Sequence, residues 1–348
     1  MRQTMLLVTL SMLLFLAACG NQAPAPQATS TLPVATASPV ASQAASAPDL
    51  TTIRLPMGYI PNIQYAPFYV AVAKGYYAGA GFKIEFDYSF ETDGVALVGA
   101  NELPFAIVSG EQVLMARAQG LPVTYVMAWW QEYPVAIIAR ASLGLKSPAD
   151  LKGRQIGLPG LFGANYIGLI ATLHQVGLSE DQVTLESIGF HQVEAFASGQ
   201  QDIVVGYITN EPIQLRRQGY EVTVFPVADY VRLASNGILT NETMLREHPD
   251  VVRRFIQATL KGLQDTIANP DEAYEISKAF VEDLAQADRD TQMEILRTAI
   301  HYWQAEGRSL GTSEPKAWEN MQQVLLAMGL IPQEQDLTQA FTNQFIQP

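Results

Sequence analysis

Thiol chemistry is nearly absent from this chain. Its 348 residues contain one cysteine, Cys19. No disulfide can close within the chain, and past position 19 there is no cysteine nucleophile or thiolate metal site. Histidine is scarce too. His174, His191, His248 and His301 lie far apart with no metal-ligand spacing, so no metal site is expected. Cations are few: 21 Lys and Arg face 34 Asp and Glu, a formal net charge of −13, which argues against nucleic acid as a partner. Gly157, Gly160 and Gly163 recur every third residue, but no Gly-Lys-Ser/Thr follows. This is neither a dinucleotide fingerprint nor a phosphate loop. Nothing marks a Ser/His/Asp set, so no catalytic residue is expected and the chain does not read as an enzyme.

What is there begins at the N-terminus. Arg2 precedes a 12-residue apolar run, Met5–Leu16, which is short for a membrane span and suits the core of a signal peptide. Leu16-Ala17-Ala18-Cys19 then resembles the lipobox of bacterial lipoproteins, in which cleavage exposes the cysteine and its thiol carries a diacylglycerol. Residues 1–18 are therefore expected to be a signal peptide and Cys19 the lipidated anchor. Two or more acyl chains hold a protein stably on a membrane. Residues 19–50 are rich in Ala, Pro, Ser, Thr and Gln, with one charge at Asp49, and read as a disordered tether.

From Thr51 short β-rich runs alternate with helical segments. Strands are predicted at 53–57, 83–88, 105–108, 123–128, 135–139, 155–158, 183–188, 203–207, 222–225 and 237–240. Helices are predicted at 65–76, 92–100, 111–119, 165–175, 192–198 and 210–218. Such alternation predicts α/β lobes with largely parallel sheets. After Asn241 only helices are predicted. In the segment opened by Pro249, Val252, Phe255, Ile256, Leu260, Leu263 and Ile267 make one apolar stripe. The expected organisation is a first lobe of residues 51–138 plus 237–348 and an inserted second lobe of 139–236. Val135–Ser142 and Ala234–Asn241 are the expected crossings between them.

Ligands of open α/β sheets sit beyond the carboxyl ends of the strands, so the strand-end residues are the candidates. In Tyr59-Ile60-Pro61-Asn62-Ile63-Gln64-Tyr65, the carboxamides offer donors and acceptors and Tyr65 offers a ring. The alternative is that Asn62 only caps the helix and the tyrosines only pack. Ser109 and Gln112 flank Gly110 at the next strand end, where Ser109 is also a natural N-cap. Trp129, Trp130 and Tyr133 form a third candidate wall. Adjacent tryptophans in an extended chain point to opposite faces, so one of the two is expected in the core. Phe162, Asn165 and Tyr166 follow the spaced glycines. Tyr207, Asn210 and Glu211 end another strand, with Asn210 open to a capping role instead, and Asn236 is a weaker candidate on the return crossing.

Four blocks taken in order resemble one family: "GYIPNIQYAPFYVAVAKGYYAGAGFKIEF", "SPADLKGRQIGLPG", "SGQQDIVVGY" and "HPDVVRRFIQATLKGLQDTIANPDEA". They are similar to the ABC-transporter solute-binding lipoproteins of the branch that takes thiamine pyrimidine precursors, riboflavin and alkanesulfonates. The similarity runs over residues 52–345, and the opening block is most similar to the riboflavin binders. The resemblance implies a periplasmic-binding-protein-like α/β fold of two lobes, a hinge and a ligand cleft, followed by C-terminal helices. It implies an exported monomer, anchored to the cell membrane, that carries a small aromatic ligand to ABC permease subunits without chemistry and without a cofactor. It also makes Pro61-Asn62 and the ring of Tyr65 part of the ligand site. Crowded aromatics and scarce cations order the expected ligands as riboflavin, then a formyl-aminopyrimidine-type thiamine precursor, then an alkanesulfonate. The pyrimidine-processing enzymes that share the fold carry a cysteine-rich motif that this chain lacks.

Overall fold

The computed structural model describes residues 50–305 and 307–347. The expected signal peptide, the Cys19 anchor and the tether up to residue 49 lie outside the described residues. The strands are β1 (Thr51–Gly58), β2 (Phe82–Phe90), β3 (Ala106–Val108), β4 (Val123–Ala128) and β5 (Val135–Arg140), followed by β6 (Gln155–Leu158), β7 (Thr184–Ser187), β8 (Ile203–Tyr207), β9 (Val222–Pro226) and β10 (Gly237–Asn241). Between them lie α1 (Ala66–Ala73), α2 (Tyr76–Gly79), α3 (Glu91–Gly99), α4 (Gly110–Ala118), α5 (Gly163–Gln175), α6 (Gln192–Ala197) and α7 (Glu211–Arg217). The chain then turns wholly helical, with α8 (Glu242–Glu247), α9 (Pro249–Ala268), α10 (Pro270–Ser277), α11 (Arg289–Trp303), α12 (Pro315–Ala327) and α13 (Leu337–Ala340). Among the described residues no helix is long and apolar enough to cross a membrane.

Two α/β lobes result. In the first, β1 and β2 pair in parallel, and β10 lies between β3 and β4. In the second, the strand order is β7-β6-β8-β5-β9. The largely apolar runs of β4 and β5, buried at every position up to Ala128 and Ala139, fit strands covered on both faces. Val135, Ile137 and Ala139 join one core with α5, while Ala136 and Ile138 pack with Phe196, Val204 and Leu215 on the other side. The stripe on α9 buries Val252, Phe255, Ile256, Leu260 and Leu263 against the first lobe, where Phe255 stacks on Phe105 with ring centres 4.0 Å apart.

The sheets are mixed rather than largely parallel. β10 runs antiparallel to β3 and β4, and β5 runs antiparallel to β8 and β9. In each sheet the reversed strand is the one arriving from the other lobe, so it enters from the cleft end. The crossings also differ from Val135–Ser142 and Ala234–Asn241. Residues 135–140 are already strand β5, hydrogen-bonded on both sides, and residues 237–241 are already β10. The connecting passages are 129–134 and 227–236. They are tied together, because the amides of Trp129 and Trp130 both donate to the Asn236 carbonyl at 3.0 Å.

Candidate ligand-binding site

The carboxyl ends of β1, β2, β3, β4, β6, β7 and β8 converge on one cavity between the lobes. The space within it, solvent at its open mouth included, is about 880 Å³. It is lined from the first lobe, from both crossings and from the second lobe.

The turn after β1 builds one wall. The Asn62 side-chain oxygen accepts from the Gln64 amide at 3.0 Å and from Gln64 Nε2 at 3.2 Å, capping the short 3-10 turn Ile63–Tyr65. Capping and lining are therefore not alternatives for Asn62. Its oxygen serves the turn, and its NH2 is what it offers a ligand. Tyr65 is buried, donates its hydroxyl to the Met57 carbonyl at 2.6 Å and stacks on Trp129 with ring centres 5.2 Å apart. Across the cleft, Thr209 donates to Gln64 Oε1 at 2.7 Å. Gly58 at the strand end has φ +79°, and a Cβ there would come within 2.6 Å of Glu91 Cγ. A side chain at position 58 would push Glu91 out of place.

Both tryptophans are buried and both line the cavity. The expectation that one would turn away fails because β4 ends at Ala128. Both amides bend to a single carbonyl, so the pair does not alternate as it would in a strand. Trp130 meets Tyr207 edge to face at 5.9 Å. The Tyr207 hydroxyl donates to Asn236 Oδ1 at 2.8 Å. Glu211 folds back on the end of β8, accepting from the Tyr207 amide at 2.7 Å and from Asn210 Nδ2 at 3.0 Å. Burial raises its pKa above the usual carboxylate range. Asn210 makes no side-chain cap; its oxygen accepts from Gln214 Nε2.

The cavity thus gathers Asn62, Tyr65, Gln112, Trp129, Phe162, Tyr207, Asn210 and Glu211. Three predicted residues stand outside its lining. Ser109 is fully buried behind it, and its hydroxyl goes to Glu91 and Glu111 rather than to the helix it begins. Tyr133 is buried and donates to the Ala164 carbonyl at 2.8 Å, holding the start of α5. Tyr166 bonds to Glu180 on the outer side of α5, because Asn165, one residue earlier, takes the inward position. Lining residues that the sequence did not single out include Phe90, Glu91, Thr92, Ile107, Phe190 and Gln192. Phe90 ends β2 with Glu91 and Thr92 after it, and Phe190 and Gln192 follow β7, so the strand-end rule would have found these five had it been applied to every strand.

The lining contains no Lys, Arg or His, but holds two carboxylates, Glu91 and Glu211. At the mouth, aromatics from the two lobes meet. Tyr59 stands edge-on to Phe190 at 4.7 Å, and Phe90 stands edge-on to Phe162 at 5.7 Å. Asn165 Oδ1 and both indole N–H groups have no hydrogen-bond partner among the described residues. Buried polar atoms ordinarily find one. No group of His, Cys, Asp and Glu among the described residues is arranged to hold a metal ion.

The family model described as NMT1/THI5-like matches residues 62–273. The chain belongs to that family. This NMT1/THI5-like chain is 41% identical over 345 residues, 97% of each chain, to the riboflavin-binding protein RibY of Chloroflexus aurantiacus. It is 30% identical over 231 residues to the formylaminopyrimidine-binding protein of Halalkalibacterium halodurans, covering 65% of this chain and 70% of that one. Among solved structures it resembles the alkanesulfonate-binding protein of Xanthomonas axonopodis pv. citri, with a TM-score of 0.64, 15% identity, and coverage of 84% of this chain and 98% of that one. That likeness places the NMT1/THI5-like chain in the periplasmic-binding-protein fold.

Proposed function

We propose that this chain is the extracytoplasmic solute-binding component of an ABC importer and that its solute is riboflavin. The observation that carries the reading is the cavity itself, walled by aromatics, edged by carboxamides from both lobes and free of cations in its lining. A flat, neutral ring system with donors and acceptors along its edges matches such walls. Tyr65 and Trp129 already stack on each other and present one aromatic surface. Stacking contributes about 0.5–1.5 kcal/mol beyond area burial. Asn62 supplies an NH2 donor and Asn165 an acceptor without a partner, while Glu211 can accept from a sugar-alcohol hydroxyl. The 41% identity to a protein named for riboflavin supports the choice of solute.

Capture needs no bond to break. Contacts from both lobes stabilise the closed arrangement, because a ligand touching both binds that state better. Gln64 with Thr209 and Asn236 with Tyr207 already join the two sides of the cleft. In the same reading residues 1–18 are removed, Cys19 is lipidated, residues 19–50 tether a monomer to the membrane, and the partner is a permease.

Riboflavin titrated into the delipidated protein tests this. Stacking should quench flavin fluorescence strongly, and Tyr65→Ala or Tyr207→Ala should weaken binding. Absence of both quenching and heat at micromolar riboflavin refutes it. Binding of an aminopyrimidine in that same experiment would move the assignment to the solute named for the 30% identical relative.

A further inference from the structure

A row of polar groups runs beneath the cavity from the core of the first lobe to the second lobe. Ser109 Oγ lies 2.6 Å from Glu91 Oε2 and also hydrogen-bonds Glu111 Oε1. The Ser109 amide donates to the same Glu91 oxygen at 3.0 Å, and Asn236 Nδ2 donates to Glu91 Oε1 at 3.1 Å. Asn236 Oδ1 in turn accepts from the Tyr207 hydroxyl. Counting hydrogens fixes the protonation. A serine hydroxyl has one hydrogen and can donate to only one of two carboxylates. With both ionised, one of the two Ser109 contacts would set oxygen against anionic oxygen. One carboxyl must carry a proton.

The surroundings decide which one. Glu91 collects three donors, from Ser109 Oγ, the Ser109 amide and Asn236. Glu111 is fully buried, receives a Gln112 contact at 3.4 Å, and has one oxygen without a partner among the described residues. We propose that Glu91 is the ionised positioning residue of the cleft floor, holding Asn236 and through it the Tyr207 hydroxyl of the second lobe, while Glu111 carries the proton that lets every donor in the row point toward Glu91. The other titratable groups acting on the pair are Tyr125 of β4, Tyr133 of the first crossing, Tyr207 of β8 and Tyr65 ahead of α1, none of them a cation. Burial raises both carboxyls, but the hydrogen bonds from Ser109 and Asn236 pull Glu91 back down, whereas burial and then the Glu91 charge push Glu111 up to about 8. Above that pH two carboxylates share one serine, and the hold on Asn236 and Tyr207 loosens.

The test has a ligand-free half and a ligand half, and only the second rests on the riboflavin reading. Infrared spectra of the ligand-free protein from pH 6 to 9 should show a protonated-carboxyl stretch that titrates near pH 8 and is missing from Glu111→Gln. Should that variant not fold, Glu91→Gln decides equally, because removing the neighbouring charge should move the band's midpoint to lower pH. Riboflavin affinity should then fall above pH 8 in the native protein and lose that dependence in Glu111→Gln. A spectrum at pH 6 to 7 identical in native protein and Glu111→Gln overturns the proton assignment. A riboflavin profile equally pH-dependent in both overturns the link to Tyr207. If riboflavin does not bind at all, the infrared half still decides the carboxyl pair.

Discussion

Glu111→Gln should also change how the fold responds to pH, and the size of the effect follows from burial. In the unfolded chain the carboxyl titrates near 4.5, and in the fold it is raised to about 8. Between those values the native state holds a proton that the unfolded state has released. Stability therefore falls as pH rises through that window, and the dependence ends above the folded value. The loss is about 1.4 kcal/mol per pH unit, or about 3 kcal/mol accumulated by pH 7. Glutamine stays neutral throughout and can still donate to Ser109. Urea denaturation of both proteins at pH 5, 6, 7 and 8 should give curves that nearly coincide at pH 5. By pH 7 the variant should be about 3 kcal/mol more stable relative to the native chain. A constant offset between the two proteins across the series would refute the reasoning, since it would mean that Glu111 titrates alike in both states.

Gly58→Ala should cost about 2 kcal/mol in urea denaturation, from the left-handed backbone and from the collision with Glu91. It should weaken riboflavin binding as well, and native-like values for both would contradict the close approach seen here. Riboflavin phosphate should bind at least about tenfold more weakly than riboflavin, because its charge meets two carboxylates and no fixed cation. Calorimetry with both ligands checks this, and equal affinity would count against it.

Much of this architecture was legible in the chain. The β-rich runs at 123–128, 155–158 and 203–207 match β4, β6 and β8 end to end, because short apolar runs punctuated by Gly, Pro and Ser leave little freedom. Strand direction was not legible. Whether β5 and β10 run with or against their neighbours depends on pairing partners many residues away, and the local pattern is the same in either case. Among the site residues, aromatics and carboxamides at strand ends stood out because they are unusual there. Glu91 did not, since an acid in the first turn of a helix is ordinary and favoured by the helix dipole. Tyr166 misled for a related reason. Neighbours on a helix point about a quarter-turn apart, so with Asn165 facing the cavity Tyr166 turns away from it.

The Asn236 carbonyl, shared by the amides of Trp129 and Trp130, pins the two crossings at one point on the cavity floor. A swing of one lobe against the other would pivot beside that point. Near a pivot displacements are short, and far from it they are long. The floor formed by Trp129, Trp130 and Asn236 would therefore keep its shape through most of an opening stroke, while Tyr59, Phe90, Phe162 and Phe190 at the mouth part widely. A solute would meet the floor first, lying on a surface already in place, and the aromatic mouth would shut over it afterwards. On release that order reverses: the mouth parts while the floor still holds its guest.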